Sequence, residues 1–457
     1  MTAKVVSGKK VAVLGMARSG KALAMLLKKY GAEVLLSELK SDDAVRRDTA
    51  LMKASGIACE IGGHSPKVLE SDFIAISPGI PMDIEILQKA HSRGIPIFSE
   101  LEASSWFCRV PIIAITGSNG KTTTTTLLGK IISGAGRQCH VGGNIGVPFS
   151  SFADEIAPGG YAILEVSSFQ LEGIESFQPR IAAVLNFTPD HLDRYRSMNE
   201  YRSAKARIYE NMGEGDYLML NADDPESSQF VPGVGVKVLQ FSVGPNPNAD
   251  VYVDEGTLML RKEIGSQRVI LSREIGIPGP HNLANSAAAV LSASVIGIGK
   301  DDMARALREF KGVEHRLEIV AVVNGIKFVN DSKGTNVDAV SMALKSIQGK
   351  IVLIAGGKDK GGDFSRLVPE VREKVCALVL IGEAAEKIAL QLANVVPVYR
   401  ANDMAKAVAM SASLARKGET VLLSPGCASF DMFRDYEHRG QVFKEEIHRL
   451  SKHEAHV

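Results

Sequence analysis

Residues 111–131 read PIIAITGSNGKTTTTTLLGKI, an apolar strand that runs without a break through a glycine turn into a helical stretch. Such a passage restricts the fold: the strand must lie in a sheet whose carboxyl edge carries the turn, and the turn's N–H groups face an anion at the helix N-terminus. Lys121 adds an ammonium and Thr122 a hydroxyl, the donor set that cradles phosphates and Mg²⁺. Gly117, Ser118, Asn119, Gly120 and Thr123 complete the cradle. The segment departs from GxxxxGK[ST] at the first glycine, where Ile115 stands. A surface lysine after an ordinary turn is the competing reading, and the strand-turn-helix context favours ATP.

The same rhythm extends along the chain. VAVLG at 11–15, a helical stretch at 19–30, VLLS at 34–37 and FIAIS at 73–77 spell βαβ units and a parallel sheet. A second nucleotide-type domain starts near residue 100, with strands at 161–166 and 181–187, a helix at 199–211 and short strands across 237–272. The last third opens with AVVNGIKFV at 321–329, whose Asn324-Gly325 suits a type I′ hairpin, and returns to αβ alternation with strands near 351–355, 377–381, 396–399 and 420–424. Three α/β units in series are therefore expected. With 53 Lys plus Arg against 52 Asp plus Glu, no net field argues for a nucleic-acid coat or an anionic membrane surface. The five cysteines lie far apart, so neither a disulfide framework nor a CxxC knuckle is indicated and a reducing cytoplasm is the expected setting. The stretch 275–299 lacks Asp, Glu, Lys and Arg, yet it holds Pro278, Pro280, Asn282 and Asn285 and reads as a buried helix rather than a membrane span.

Several polar residues stand where strands end. GMARSG at 15–20 has the setting of a pyrophosphate turn, with Ala17 at the central glycine position and Glu38 as the acidic residue about 20 positions on. Alone it fits a plain strand-to-helix turn equally well. Glu165 closes YAILE and suits Mg²⁺, and His191 in NFTPDHLDR falls on the same edge. In the helix at 199–211, Tyr201, Ile208, Tyr209 and Met212 share one apolar face, and Lys205 interrupts it. Either its stem is buried with the ammonium in water, or it is a desolvated amine open to modification or catalysis. Asn282 fits a helix N-cap. NDSKGTN at 330–336, GGKDKGG at 356–362 and SPGCASFD at 424–431 each follow a strand, and together they suit an anionic substrate.

These segments, with GGNIG at 142–146, LEVSSFQLE at 164–172, DHLDRY at 190–195, YRSAKARIY at 201–209, HNLAN at 281–285 and HR at 315–316, closely resemble the Mur ligases over nearly the full length, and among them the D-glutamate-adding members. The resemblance implies an α/β chain of three domains: an N-terminal Rossmann-like UDP-substrate-binding domain at 1–99, a central P-loop ATPase-like domain at 100–312, and a C-terminal Rossmann-like amino-acid-binding domain at 313–457. It implies a cytoplasmic, monomeric ligase of peptidoglycan precursor synthesis that uses ATP and Mg²⁺ to join D-glutamate to UDP-N-acetylmuramoyl-L-alanine through an acyl phosphate, without nucleic acid or membrane insertion. Residue by residue, it implies that Lys121 and Thr122 hold ATP phosphates and one Mg²⁺ that Glu165 also ligates, while His191 and a carbamylated Lys205 support a second Mg²⁺. Asn282 and Asn285 would contact adenine, Arg316 and Asp331 the phosphates and ribose, and Lys333, Thr335, Lys358, Ser429 and Tyr436 D-glutamate. Ser19, Glu38, Lys40, Gly79, Asn144 and His191 would contact the nucleotide sugar. SELK at 37–40 departs from the Asp-Thr-Arg type of uracil loop, so base recognition there differs in detail. A dinucleotide oxidoreductase and a non-enzymatic nucleotide-binding module are the rival readings, and the phosphate loop argues against the first.

Overall fold

The computed structural model describes residues 6–187, 195, 197–246, 248–263, 265–359, 361–392 and 394–454. Three sheets organise the chain, which divides into two compact units, Met1–Phe310 and Lys311–Val457. The first unit holds two of the sheets. Strands β1 (Lys10–Leu14), β2 (Glu33–Glu38), β3 (Ala58–Ile61), β4 (Phe73–Ile76) and β5 (Ile97–Ser99) form a parallel sheet in the order β3-β2-β1-β4-β5. The order reverses beside β1, as in a Rossmann-like domain. Val11 to Leu14 are all buried because helices cover both faces of such a sheet.

The central sheet contains β6 (Ile112–Thr116), β7 (Cys139–Gly143), β8 (Tyr161–Glu165), β9 (Ile181–Val184), β10 (Tyr217–Asn221), β11 (Lys237–Phe241), β12 (Val251–Asp254), β13 (Thr257–Arg261) and β14 (Ser266–Leu271). Its order is β14-β13-β12-β11-β10-β9-β6-β8-β7, with β6 between β8 and β9 in parallel register and only the β12–β14 end antiparallel. The uncharged stretch forms the helix Pro280–Val295, whose Ala287, Ala288 and Ala289 are fully buried and let it lie close against the helix Lys121–Gly134. Glu100 ties the two sheets together by accepting from Ser150 N at 2.9 Å.

The second unit holds β15 (Glu318–Val323), β16 (Ile326–Asn330), β17 (Ile351–Gly356), β18 (Val375–Ile381), β19 (Val398–Arg400) and β20 (Thr420–Leu423), ordered β15-β16-β20-β17-β18-β19. Asn324 and Gly325 both have positive φ, 51° and 76°, as a type I′ hairpin requires. The α/β class and the three-domain series expected from the sequence are those observed. No helix among the described residues is long and apolar enough to cross a membrane.

Three local expectations need correction. The strand expected at 181–187 ends at Val184, because the chain leaves the ladder where Asn186 turns its amide onto the phosphate loop. The helix expected at 199–211 is α-helical only over Met198–Ala206 and tightens into a 3₁₀ turn at Arg207–Tyr209, so Met212 reaches the core from beyond the helix. Gly279, not Asn282, precedes the uncharged helix; Pro280 opens it, and Asn282 sits inside the first turn donating to Pro278 O at 2.8 Å. Of the two readings left open for Lys205, the structure agrees with the desolvated one, since its side chain is fully buried.

Candidate functional site

The phosphate loop leaves β6 at Thr116 and enters its helix at Lys121. Gly120 has φ 83°, and a Cβ there would lie 2.2 Å from Asn285 Oδ1, so only glycine fits this turn. Lys121 Nζ donates to Gly117 O at 2.7 Å and Ser118 O at 2.8 Å, held over the loop by its own carbonyls. Thr122 Oγ1 donates to Glu165 Oε2 at 2.7 Å across the β6–β8 pair, and Asn144 Nδ2 donates to Glu165 Oε1 at 3.1 Å. A hydroxyl, a carboxylate and a backbone cradle at one strand edge are the hard oxygen donors and N–H groups that Mg²⁺ and a polyphosphate take, so these residues fit the group the sequence implies.

Lys205 lies on the same loop from the other side. Its Nζ donates to Gly117 O at 3.0 Å and Thr116 Oγ1 at 3.4 Å, and stands 4.7 Å from the centre of the Tyr201 ring. Tyr201 shares a hydrogen bond with Ser118 at 3.3 Å. Asn285 accepts from Thr124 Oγ1 at 3.3 Å and donates to Asn282 Oδ1 at 3.2 Å, so the start of the uncharged helix abuts the phosphate loop. Thr123 is buried in the first turn of the loop's helix. Sequence reasoning missed Asn186, whose Oδ1 accepts from Asn119 N at 2.8 Å and whose Nδ2 donates to Asn119 O at 3.1 Å. Its only signal was an asparagine just past an apolar run on the same edge. His191 lies outside the described residues.

In the first sheet, Glu38 Oε2 accepts from Met16 N at 2.8 Å and Oε1 from Lys40 N at 3.0 Å, which places the acidic residue against the GMARSG turn. Ser19 stands in the first turn of the following helix, where its carbonyl accepts from Ser150 Oγ at 3.4 Å. Lys40 and Gly79 are exposed. Ser37, at the head of SELK, is buried and donates to Glu60 Oε1 at 2.6 Å, with His64 Nδ1 at 2.7 Å. Burial holds the His64 imidazole below its usual value.

In the second unit the three polar loops follow β16, β20 and β17, which are adjacent parallel strands, and they are cross-bonded. Gly426 N donates to Gly334 O at 2.8 Å, Gly356 N to Pro425 O at 2.8 Å, and Lys358 N to Ala428 O at 2.9 Å. Asp331 is buried, accepts from Ser424 Oγ at 2.7 Å, and burial pushes its carboxyl up to about 6 against the opposing pull of Arg316. Arg316 lies in a tight turn between His315 and Leu317, whose φ values are 63° and 47°. Lys333 Nζ stands 5.7 Å from the centre of the Tyr436 ring. Ser429 is buried, Thr335 half-buried and Lys358 exposed. A separate cavity of about 420 Å³, lined by Trp106, Cys108, Arg180 and Asp216 among others, lies at the opposite strand ends from the phosphate loop.

This arrangement has known counterparts. The chain matches the MurD N-terminal domain over residues 10–86, the Mur ligase middle domain over 115–293, and the Mur ligase, glutamate ligase domain over 315–427. It is 43% identical to the UDP-N-acetylmuramoylalanine–D-glutamate ligase of Pelotomaculum thermopropionicum over 97% of this chain and 98% of that protein. It is 42% identical to the enzyme of the same name from Salinibacter ruber over 98% of this chain and 100% of that one. Among solved structures, UDP-N-acetylmuramate-alanine ligase from Thermotoga maritima shares the fold with a TM-score of 0.62 at 19% identity, covering 96% of this chain and 99% of that one. A phosphate cradle on the central sheet, three cross-bonded loops on the last and three consecutive domain matches lead to one assignment: the chain belongs to the Mur ligase family.

Proposed function

We propose that this protein is an ATP-dependent ligase that adds D-glutamate to UDP-N-acetylmuramoyl-L-alanine in peptidoglycan precursor synthesis. The observation that carries the ligase chemistry is the Thr122–Glu165 pair at 2.7 Å beside the Lys121 loop. The identity of the amino acid rests on relatives that are 42–43% identical over nearly the whole chain. The division of labour follows the sequence reading: 1–99 for the UDP-substrate, 100–312 for ATP and 313–457 for the amino acid.

In the proposed reaction an oxygen of the L-alanyl carboxylate attacks the γ-phosphorus of ATP, ADP departs, and an acyl phosphate forms. The amine of D-glutamate then attacks the acyl carbon; inorganic phosphate leaves with the bonding pair and the amine loses a proton. Phosphorylation replaces a poor oxide leaving group, and the protein's share is alignment and charge neutralisation. Lys121 leaves its loop carbonyls to neutralise the transferred phosphoryl group. Thr122 and Glu165 would hold one Mg²⁺, and His191 with a carbamylated Lys205 a second; the metal supplies charge to the phosphate oxygens when bound. Asn282 and Asn285 take adenine, Arg316 and Asp331 the phosphates and ribose. Lys333, Thr335, Lys358, Ser429 and Tyr436 receive D-glutamate, and Ser19, Glu38, Lys40, Gly79, Asn144 and His191 the nucleotide sugar.

The test is phosphate release from Mg-ATP and UDP-N-acetylmuramoyl-L-alanine across a panel of amino acids. D-glutamate should be required and L-glutamate should be poor. Comparable turnover with L-glutamate or L-lysine would overturn the assignment, and ATP binding without phosphate release under any amino acid would favour a binding module.

A further inference from the structure

Arg439, in the helix Tyr436–Glu454, is the largest fully buried side chain among the described residues. Its guanidinium is spent on two loops. Nε donates to Ser332 Oγ at 3.0 Å and Nη2 to Ser332 O at 2.8 Å, while Nη1 donates to Cys427 O at 3.1 Å and Ala428 O at 3.3 Å. Ser332 Oγ in turn donates to Tyr436 O at 2.8 Å, which returns the link to the first turn of the helix. All four of these acceptors are neutral, and among the described residues Arg439 forms no ion pair. Burial pulls its guanidinium down to about 10 against the opposing pull of Cys427, Asp431 and Asp331.

A buried cation without a paired anion is costly, and an apolar side chain of similar volume commonly gives equal or better stability. Retention of the charge therefore calls for something packing does not need. A guanidinium offers five N–H donors in a fixed fork, so it can fix the separation of two backbones, whereas an ammonium is a single point. The clamped residues adjoin those proposed for D-glutamate: Ser332 precedes Lys333, Ala428 precedes Ser429, and Tyr436 begins the same helix. Lys358 is joined to the assembly by its backbone pair with Ala428.

We propose that Arg439 is a positioning residue that clamps the loops after β16 and β20 at a fixed spacing and adds its positive charge to the binding of a dicarboxylate amino acid there. The proposal rests on the ligase reading above for the identity of that amino acid, but not for the clamp itself. The hydrogen bonds of Asp331 come from Ser424 Oγ and run from its own N–H to Leu423 O at 2.7 Å, and Arg439 reaches it only through charge, so loss of the clamp should act on the amino acid more than on ATP.

The experiment uses the full chain carrying Arg439→Met, Arg439→Lys or Ser332→Ala, read by amide hydrogen exchange and by steady-state kinetics. Arg439→Met should speed exchange in both 331–336 and 424–431 and raise KM for D-glutamate about tenfold or more, with KM for ATP within about twofold. Arg439→Lys should fall between it and wild type. Ser332→Ala deletes one acceptor in one loop and should give a smaller change of the same kind, which keeps the test decisive if the methionine variant does not fold. Wild-type exchange in both loops, or an unchanged KM for D-glutamate in a folded Met variant, would overturn the clamp. If the wild-type protein itself turned over no D-glutamate, the ligase reading would fall, while the exchange comparison would still decide whether Arg439 holds the loops.

Discussion

Lys205 shows how far a single residue can be read from sequence. Periodicity placed it on the apolar face of its helix but left its ammonium free to reach water, and only the fold put that group 3.0 Å from Gly117 O, inside the phosphate loop. In the proposed reaction a cation there would stand beside the ATP phosphates, whereas a carbamate would supply an anion to metal. Lys205→Ala should therefore be nearly inactive, and acetate should restore part of its activity by filling the space and supplying the missing oxygen, while chloride at equal ionic strength should not. Lys205→Arg keeps the charge but is never deprotonated, and should stay inactive. Wild-type turnover by the Arg variant would dismiss the carbamate. Lys121→Ala should lose about 10²-fold or more in kcat, the scale of one desolvated electrostatic contact, with little change in Tm because the side chain is only partly buried. A folded Ala variant with near-normal turnover would refute its role at the phosphates.

At the scale of elements, the glycine turns carry the closest tolerances. A Cβ on Gly20 would lie 1.8 Å from Gly15 O, so the helix Arg18–Lys29 approaches the end of β1 as closely as backbone permits. Gly20→Ala must push them apart, a small-to-large strain of about 1–3 kcal/mol, visible as a lower Tm and a weaker KM for the UDP-substrate. Strands were legible because their residues are apolar on both faces. The end of β9 was not, since LNF continues the apolar run and only the tertiary bonds of Asn186 to Asn119 end it. The start of the uncharged helix misled for a related reason: Asn282 has the chemistry of a cap, but Gly279-Pro280 takes that place one turn earlier. Asp331, just past β16, carries a pH signature. Its folded value of about 6 lies above the usual 3.8, so the native state holds the extra proton and stability from this group falls as pH rises between the two. Relative to wild type, Asp331→Asn should gain in Tm as pH is raised from about 4 to about 7. A difference that does not vary with pH would show that Asp331 ionises as it does in the unfolded chain.

Over the whole molecule, what sequence could not supply was the joining of distant segments. NDSKGTN, GGKDKGG and SPGCASFD could each alone be an ordinary loop and only together suit an anionic substrate, and their strand order β16-β20-β17 is what makes them one surface. Periodicity carries no information on which strands become neighbours, because that depends on how crossovers wind. Arg439 likewise drew no notice in a polar helical stretch, although it is the side chain that bridges two of those loops. The proposed reaction places its two chemical steps on different residues, acyl phosphate formation on the cradle of the first unit with Arg316 and Asp331 of the second, and amine attack on the D-glutamate residues of the second. The steps should therefore separate by mutation. With Mg-ATP and UDP-N-acetylmuramoyl-L-alanine but no amino acid, hydroxylamine should trap the acyl phosphate as a hydroxamate in the wild-type protein. Lys333→Ala and Tyr436→Ala, which touch the second step alone, should give hydroxamate within about threefold of wild type while losing most ligation. Lys121→Ala should lose both products together. Hydroxamate that falls in parallel with ligation in the Lys333 and Tyr436 variants would mean that these residues serve the phosphoryl transfer, and that the proposed allotment of chemistry along the chain is wrong.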